Sequence, residues 1–100
     1  MKTIAQIFRK ARSERGLTQR KAAELLGVDF TSLSKIENGH AQPGLELLSL
    51  FAAKFDQDID MLLLASGRLP EWMTARILEK PEVFYRLCKV SDEELAGAIA

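Results

Sequence analysis

One cysteine, Cys88, is all the thiol chemistry in this sequence. A single thiol builds neither a disulfide framework nor a cysteine metal site, so the expected setting is reducing and cytoplasmic. Long apolar runs are missing as well. The densest patch, "DMLLLA" at 60–65, falls well short of the roughly 18 residues of a membrane span. The N-terminal "MKTIAQIFRKARSERG" sets charges among its apolar positions, which reads against a signal peptide. No stretch alternates apolar and polar residues for long enough to be a strand. There is no nucleophile elbow, phosphate-cradling glycine loop or carboxylate pair, so neither an enzyme nor a cofactor is expected. The one histidine, His40, lacks companions at metal-ligand spacing. The acids of "DQDID" at 56–60 lack the glycine and closing glutamate of a calcium loop.

A net charge is missing too, but the zero conceals a division. Residues 1–42 hold eight Lys/Arg against four Asp/Glu, and residues 43–100 hold six against ten. A basic front half joined to an acidic back half suits one face meeting an anionic partner, although small proteins also divide charge by chance.

What is present is helical. Thr3 and Gln6 form a capping box ahead of Ile4, Ile7, Phe8 and Ala11 at helical spacing, and Gly16 ends that helix. Thr18 caps a second helix whose Ala22, Ala23, Leu25 and Leu26 are expected inside, closed by Gly27. Asp29 caps a third that runs to Asn38, with Gly39 as its left-handed stop. Pro43 and Gly44 open a fourth with Leu45, Leu48, Phe51, Ala52 and Phe55, and Asp58 caps a fifth with Ile59, Leu62 and Leu63 inward. Five short helices on short turns predict a compact bundle. Beyond Gly67, "LPEWMTARILEK", "PEVFYRLCKV" and "SDEELAGAIA" predict three further short pieces, the first two opened by proline and the last by a capping box at Ser91 and Glu94.

The informative unit is "TQRKAAELLGVDFTSLSKIEN", residues 18–38. Two short helices meet at a tight turn, with Val28, Leu33 and Ile36 directed back into the bundle. This is the helix-turn-helix plan, which leaves the outer face of the second helix exposed at a width that suits the DNA major groove. On that face Phe30, Thr31, Ser32, Ser34 and Lys35 are the candidates for base readout. Lys35 suits guanine O6/N7, and Thr31 and Ser34 suit base edges or phosphate. Phe30 either packs on thymine methyls or covers the turn.

Residues 3–65 resemble the Cro/CI-type (XRE family) helix-turn-helix regulators. The resemblance is carried by "ARSERGLTQRKAAELLGV" and "SLSKIENGHAQPGLELLSLFAAKF", and covers about two thirds of the chain. It implies an all-α, five-helix Cro/CI-like DNA-binding bundle with a C-terminal helical extension, divided as 1–66 and 67–100. It implies that Gln19 contacts a DNA phosphate and braces the recognition helix, and that Asn38 binds phosphate. Thr18, His40 and Gln42 join them along the DNA backbone. It also implies a structural salt bridge between Arg12 and Glu37. Arg9, Lys10, Arg15, Arg20 and Lys21 read as solvated surface that adds nonspecific attraction to DNA. Phe30 departs from the polar residue common in the family.

The functional expectation is a sequence-specific double-stranded DNA-binding regulator, most simply a repressor. One recognition helix buries little surface, so such proteins work as homodimers on palindromic operators. Trp72, Ile77, Phe84, Tyr85 and Leu87 of the tail are the expected dimer interface, the alternative being that they extend their own chain's core. A second function remains open: an antitoxin, or another module whose tail grips a toxin or other protein partner.

Overall fold

The computed structural model describes residues 2–90 and 93, and seven α-helices lie among them. They are α1 (Ile4–Glu14), α2 (Gln19–Leu26), α3 (Phe30–Glu37), α4 (Leu45–Lys54), α5 (Ile59–Ala65), α6 (Glu71–Glu79) and α7 (Pro81–Lys89). The chain forms two compact units, 1–68 with α1–α5 and 69–100 with α6–α7. The Ser91/Glu94 capping box lies outside the described residues. No helix among the described residues is long and apolar enough to cross a membrane.

Local chemistry accounts for the helix boundaries. The Thr3 hydroxyl accepts from the Gln6 backbone N–H at 3.2 Å while Gln6 Oε1 accepts from the Thr3 N–H at 2.9 Å, satisfying two donors that the first turn of a helix leaves over. Thr18, Asp29 and Asp58 cap α2, α3 and α5 in the same sense, each with its side chain accepting from the first turn. At the far end of α2, Gly27 takes φ 69, which lets its own N–H reach the Glu24 carbonyl at 3.2 Å and that of Val28 the Ala23 carbonyl at 3.0 Å. That paired closure needs a left-handed residue, for which glycine carries no Cβ penalty. It compresses the turn between α2 and α3 to Gly27, Val28 and Asp29.

The core of the first unit gathers Ile4, Phe8 and Ala11 of α1, Ala22, Ala23 and Leu26 of α2, Leu33 and Ile36 of α3, Leu48 and Phe51 of α4, Phe55, and Leu62 of α5. Phe8 stacks on Phe51 with ring centroids 3.8 Å apart, and Phe51 on Phe55 at 4.8 Å. A ring pair at the Phe51–Phe55 separation contributes about 0.5–1.5 kcal/mol beyond the area it buries. Ala22 and Ala23 are almost wholly buried, so small side chains let α2 lie close against its neighbours.

Three expected core residues lie outside. Leu25 is exposed because the buried arc of α2 runs from Ala22 through Leu26 to Ala23, and helical rotation carries Leu25 past its edge. Leu45 and Ile59 are exposed for another reason: each is the first residue of its helix. Helical Cα–Cβ bonds tilt toward the N-terminus, so a side chain there leans beyond the first turn and is buried only where a neighbouring element covers that end, as for Ile4 of α1. Helical periodicity assigns a face but not a depth along the axis.

In the second unit α6 and α7 contain no buried residue among those described. Pro70 stands at the N-cap of α6, one position earlier than a first-turn proline, while Pro81 opens α7 at its first position.

Candidate nucleic-acid interface

The candidate interface is built on one buried acid. Glu37 ends α3 with 1% of its surface exposed, and its carboxylate is shared by three elements. Arg12 of α1 donates from Nε to Oε2 at 2.8 Å and from Nη2 to Oε1 at 3.0 Å. Gln19, the first residue of α2, donates from Nε2 to Oε1 at 3.0 Å. Arg12 also donates from Nη1 to the Leu17 carbonyl at 2.8 Å, so one guanidinium ties the α1–α2 turn to the end of α3. A carboxylate removed from water requires such compensation, and Glu37 receives it from a cation and a neutral amide together.

Arg9 completes the arrangement. Expected as solvated surface, it instead donates from Nη2 to the Glu37 backbone carbonyl at 2.6 Å. That carbonyl lies in the last turn of α3, where helix geometry leaves acceptors unpaired and a cation is favoured. No local pattern marks this contact, since three-residue spacing puts Arg9 on the same face of α1 as Arg12 without naming the carbonyl it binds. A second staple went unforeseen, for Lys54 at the end of α4 donates to the Leu25 carbonyl at the end of α2 at 2.7 Å.

With α3 held from behind, its outer residues are available. Phe30, Thr31 and Lys35 are exposed, whereas Ser32 and Ser34 are half-buried. Ser32 gives its backbone N–H to the Asp29 carboxylate at 2.7 Å. This bond, first among its causes, holds the Asp29 carboxyl below its ordinary value of 3.8, with the nearby Lys35 charge a lesser contribution. The Phe30 ring lies beneath the Arg20 guanidinium, whose carbon is 4.5 Å from the ring centroid.

The residues expected along the DNA backbone lie at the two flanks of α3. Thr18 is exposed and caps α2 through its hydroxyl, which accepts from the Lys21 N–H at 3.1 Å. Gln19 is half-buried because its amide faces Glu37. At the other flank Asn38 is exposed and sends Nδ2 toward Ser34 Oγ at 3.4 Å. His40 is exposed, with its backbone N–H bound to the Lys35 carbonyl at 2.8 Å across Gly39, and Gln42 is exposed beyond it. Among the described residues no group of His, Cys, Asp or Glu is arranged to hold a metal ion. The expected interface residues of the tail belong to the second unit: Trp72, Phe84, Tyr85 and Leu87 are exposed and Ile77 is half-buried.

An α2 capped at its exposed N-terminus, a three-residue turn and an α3 with a buried anchor and a polar outer row define a helix-turn-helix domain. Residues 8–62 match the family described as Helix-turn-helix (HTH_3). The chain belongs to this Cro/CI-type (XRE) family of DNA-binding transcriptional regulators. It is 31% identical over 70 residues to an "ImmF control region 10 kDa protein" of Bacillus phage phi105, covering 70% of this chain and 78% of that protein. Among solved structures it is similar to an HTH_3 family transcriptional regulator from Vibrio cholerae, with 28% identity and a TM-score of 0.53 over 61% of this chain. This chain spans about a third of that protein, 34% of its length. A structure described as the SinR protein/SinI protein complex shares the fold at 24% identity, with a TM-score of 0.56 over 97% of this chain and 91% of that one.

Proposed function

We propose that this protein is a sequence-specific regulator that binds double-stranded DNA as a homodimer and reads a palindromic operator through the major groove. Its simplest action is repression by occluding polymerase, in the cytoplasm at the nucleoid. The observation that carries the reading is the division of α3 into an anchored inner side, ending in buried Glu37, and an exposed outer row with Thr31 and Lys35. Within that row Lys35 serves guanine, and Thr31, Ser32 and Ser34 serve base edges or phosphate. Thr18 and Gln19 at the N-terminus of α2, and Asn38, His40 and Gln42 beyond α3, position the two flanks on phosphates. The phage relative's description as a control-region protein supports a regulatory role.

Residues 67–100 supply the dimer contact in this reading. A groove of about 280 Å³ runs between α6 and α7, lined by Ile77, Val83, Phe84 and Leu87 and edged by Arg76, Glu79 and Lys80. An edge carrying both signs suits the self-complementary contact of a two-fold dimer. Such a dimer sets its recognition helices about 34 Å apart, one turn of DNA. The same exposed Trp72, Phe84, Tyr85 and Leu87 favour a second reading, in which the tail holds a different protein such as a toxin.

Selection of bound sequences from random DNA, with the stoichiometry of the winning complex measured, tests the proposal. A palindrome occupied by two chains is expected. A palindrome occupied by one chain refutes the dimer, and the failure of any sequence to enrich refutes sequence-specific binding.

A further inference from the structure

Phe30 stands in the outer row of α3, yet one side of its ring is already taken by the Arg20 guanidinium. We infer that Phe30 is a positioning residue that holds the Arg20 guanidinium ready for a DNA phosphate, and that it reads no base itself. The inference rests on the DNA-binding reading above.

Arg20 is the second residue of α2 and Phe30 the first of α3, so the stack spans the mouth of the helix-turn-helix. As at Leu45 and Ile59, a side chain at a first helical position projects past the helix end. Here it meets a cation 4.5 Å above its ring. A guanidinium presents its five N–H donors in its own plane, so a ring against one face steadies the group without using a donor. Among the described residues Arg20 forms no ion pair: Glu24, one turn along, lies 3.6 Å from Lys21 instead. The result is a cation with restricted orientation and unspent donors. It stands one residue past Gln19, at the end of α2 whose amides and dipole favour an anion. A contact between thymine methyls and that side of the Phe30 ring would first require displacing Arg20.

The test uses the full chain, its selected operator and a random duplex, with binding followed by fluorescence anisotropy over a series of salt concentrations. Arg20→Ala is expected to weaken both duplexes alike, by about tenfold, and to reduce the slope of log affinity against log salt by about one. Phe30→Leu is expected to weaken binding by about threefold, as loss of an exposed cation–π contact does, and Phe30→Tyr to restore it. In the Arg20→Ala background, Phe30→Leu is expected to change nothing further. Equal losses in both backgrounds, a changed base preference in Phe30→Leu, or an unchanged salt slope in Arg20→Ala would each overturn the inference. Phe30→Tyr keeps the ring at this partly exposed site, so its failure to bind as wild type also counts against it. A wild-type chain that binds no DNA sinks the underlying reading, a result distinct from all of these.

Discussion

Removing Arg12 is the most informative single change. In Arg12→Ala the Glu37 carboxylate, 1% exposed, keeps the Gln19 amide but loses the one cation bound to it among the described residues. Breaking a buried pair from one side costs about 3–5 kcal/mol, because the remaining charge is stranded away from water. The Arg12 side chain is itself 18% exposed, so some water reaches the pair and the lower end, about 3 kcal/mol, applies. For a domain of this size each kcal/mol lowers Tm by about 4–8 °C, so a fall of about 12–24 °C is expected in a thermal melt followed by circular dichroism. The double variant Arg12→Met/Glu37→Leu separates this cause from simple loss of packing. With no carboxylate to strand, it is expected to melt well above Arg12→Ala. An Arg12→Ala protein that melts like wild type, or a double variant that melts below it, would refute the argument.

Lys35→Ala is expected to weaken operator binding by about 1–3 kcal/mol and binding to random DNA much less; equal losses on both would make Lys35 a phosphate contact. Truncation after Arg68 removes α6 and α7 and is expected to leave a folded monomer by light scattering, since the buried core residues among those described all lie in the first unit; a persistent dimer would put the interface elsewhere. The Asp29 cap adds a pH dependence. Its folded carboxyl titrates below 3.8, so the cap's contribution is fully present above that value and is lost as pH falls through the lowered one. The Tm advantage of wild type over Asp29→Asn is therefore expected to shrink between about pH 6 and pH 2, and a constant difference would deny the charged cap its role.

The boundaries of α1, α2, α3 and α5 were legible in the sequence because capping is local chemistry: Thr3, Thr18, Asp29 and Asp58 each bind an amide two or three residues on. Most of the core was legible for the same kind of reason, as apolar residues recur with the helical period. Leu45 and Ile59 show where that reasoning stops, since each has the right character but stands exposed at the first position of its helix. Long side chains that seek carbonyls left no trace at all. Arg9 finds Glu37 across 28 residues and Lys54 finds Leu25 across 29, and no local pattern marks either. The Arg12–Glu37 contact was accessible only through family resemblance, because nothing in a 25-residue separation announces it. The helices α6 and α7 of the tail were legible too, each opening beside a proline, but the apolar residues they carry do not say what covers them.

The anchoring of α3 from behind also has a bearing on how such a protein diversifies. The bonds that fix α3 end on Glu37 and on its backbone, whereas Thr31 and Lys35 take no side-chain part in them. Residues on the outer row can therefore be exchanged with little penalty to folding. On the reading proposed above, new operators become accessible by a few substitutions on one helix, while the frame that presents them is inherited unchanged.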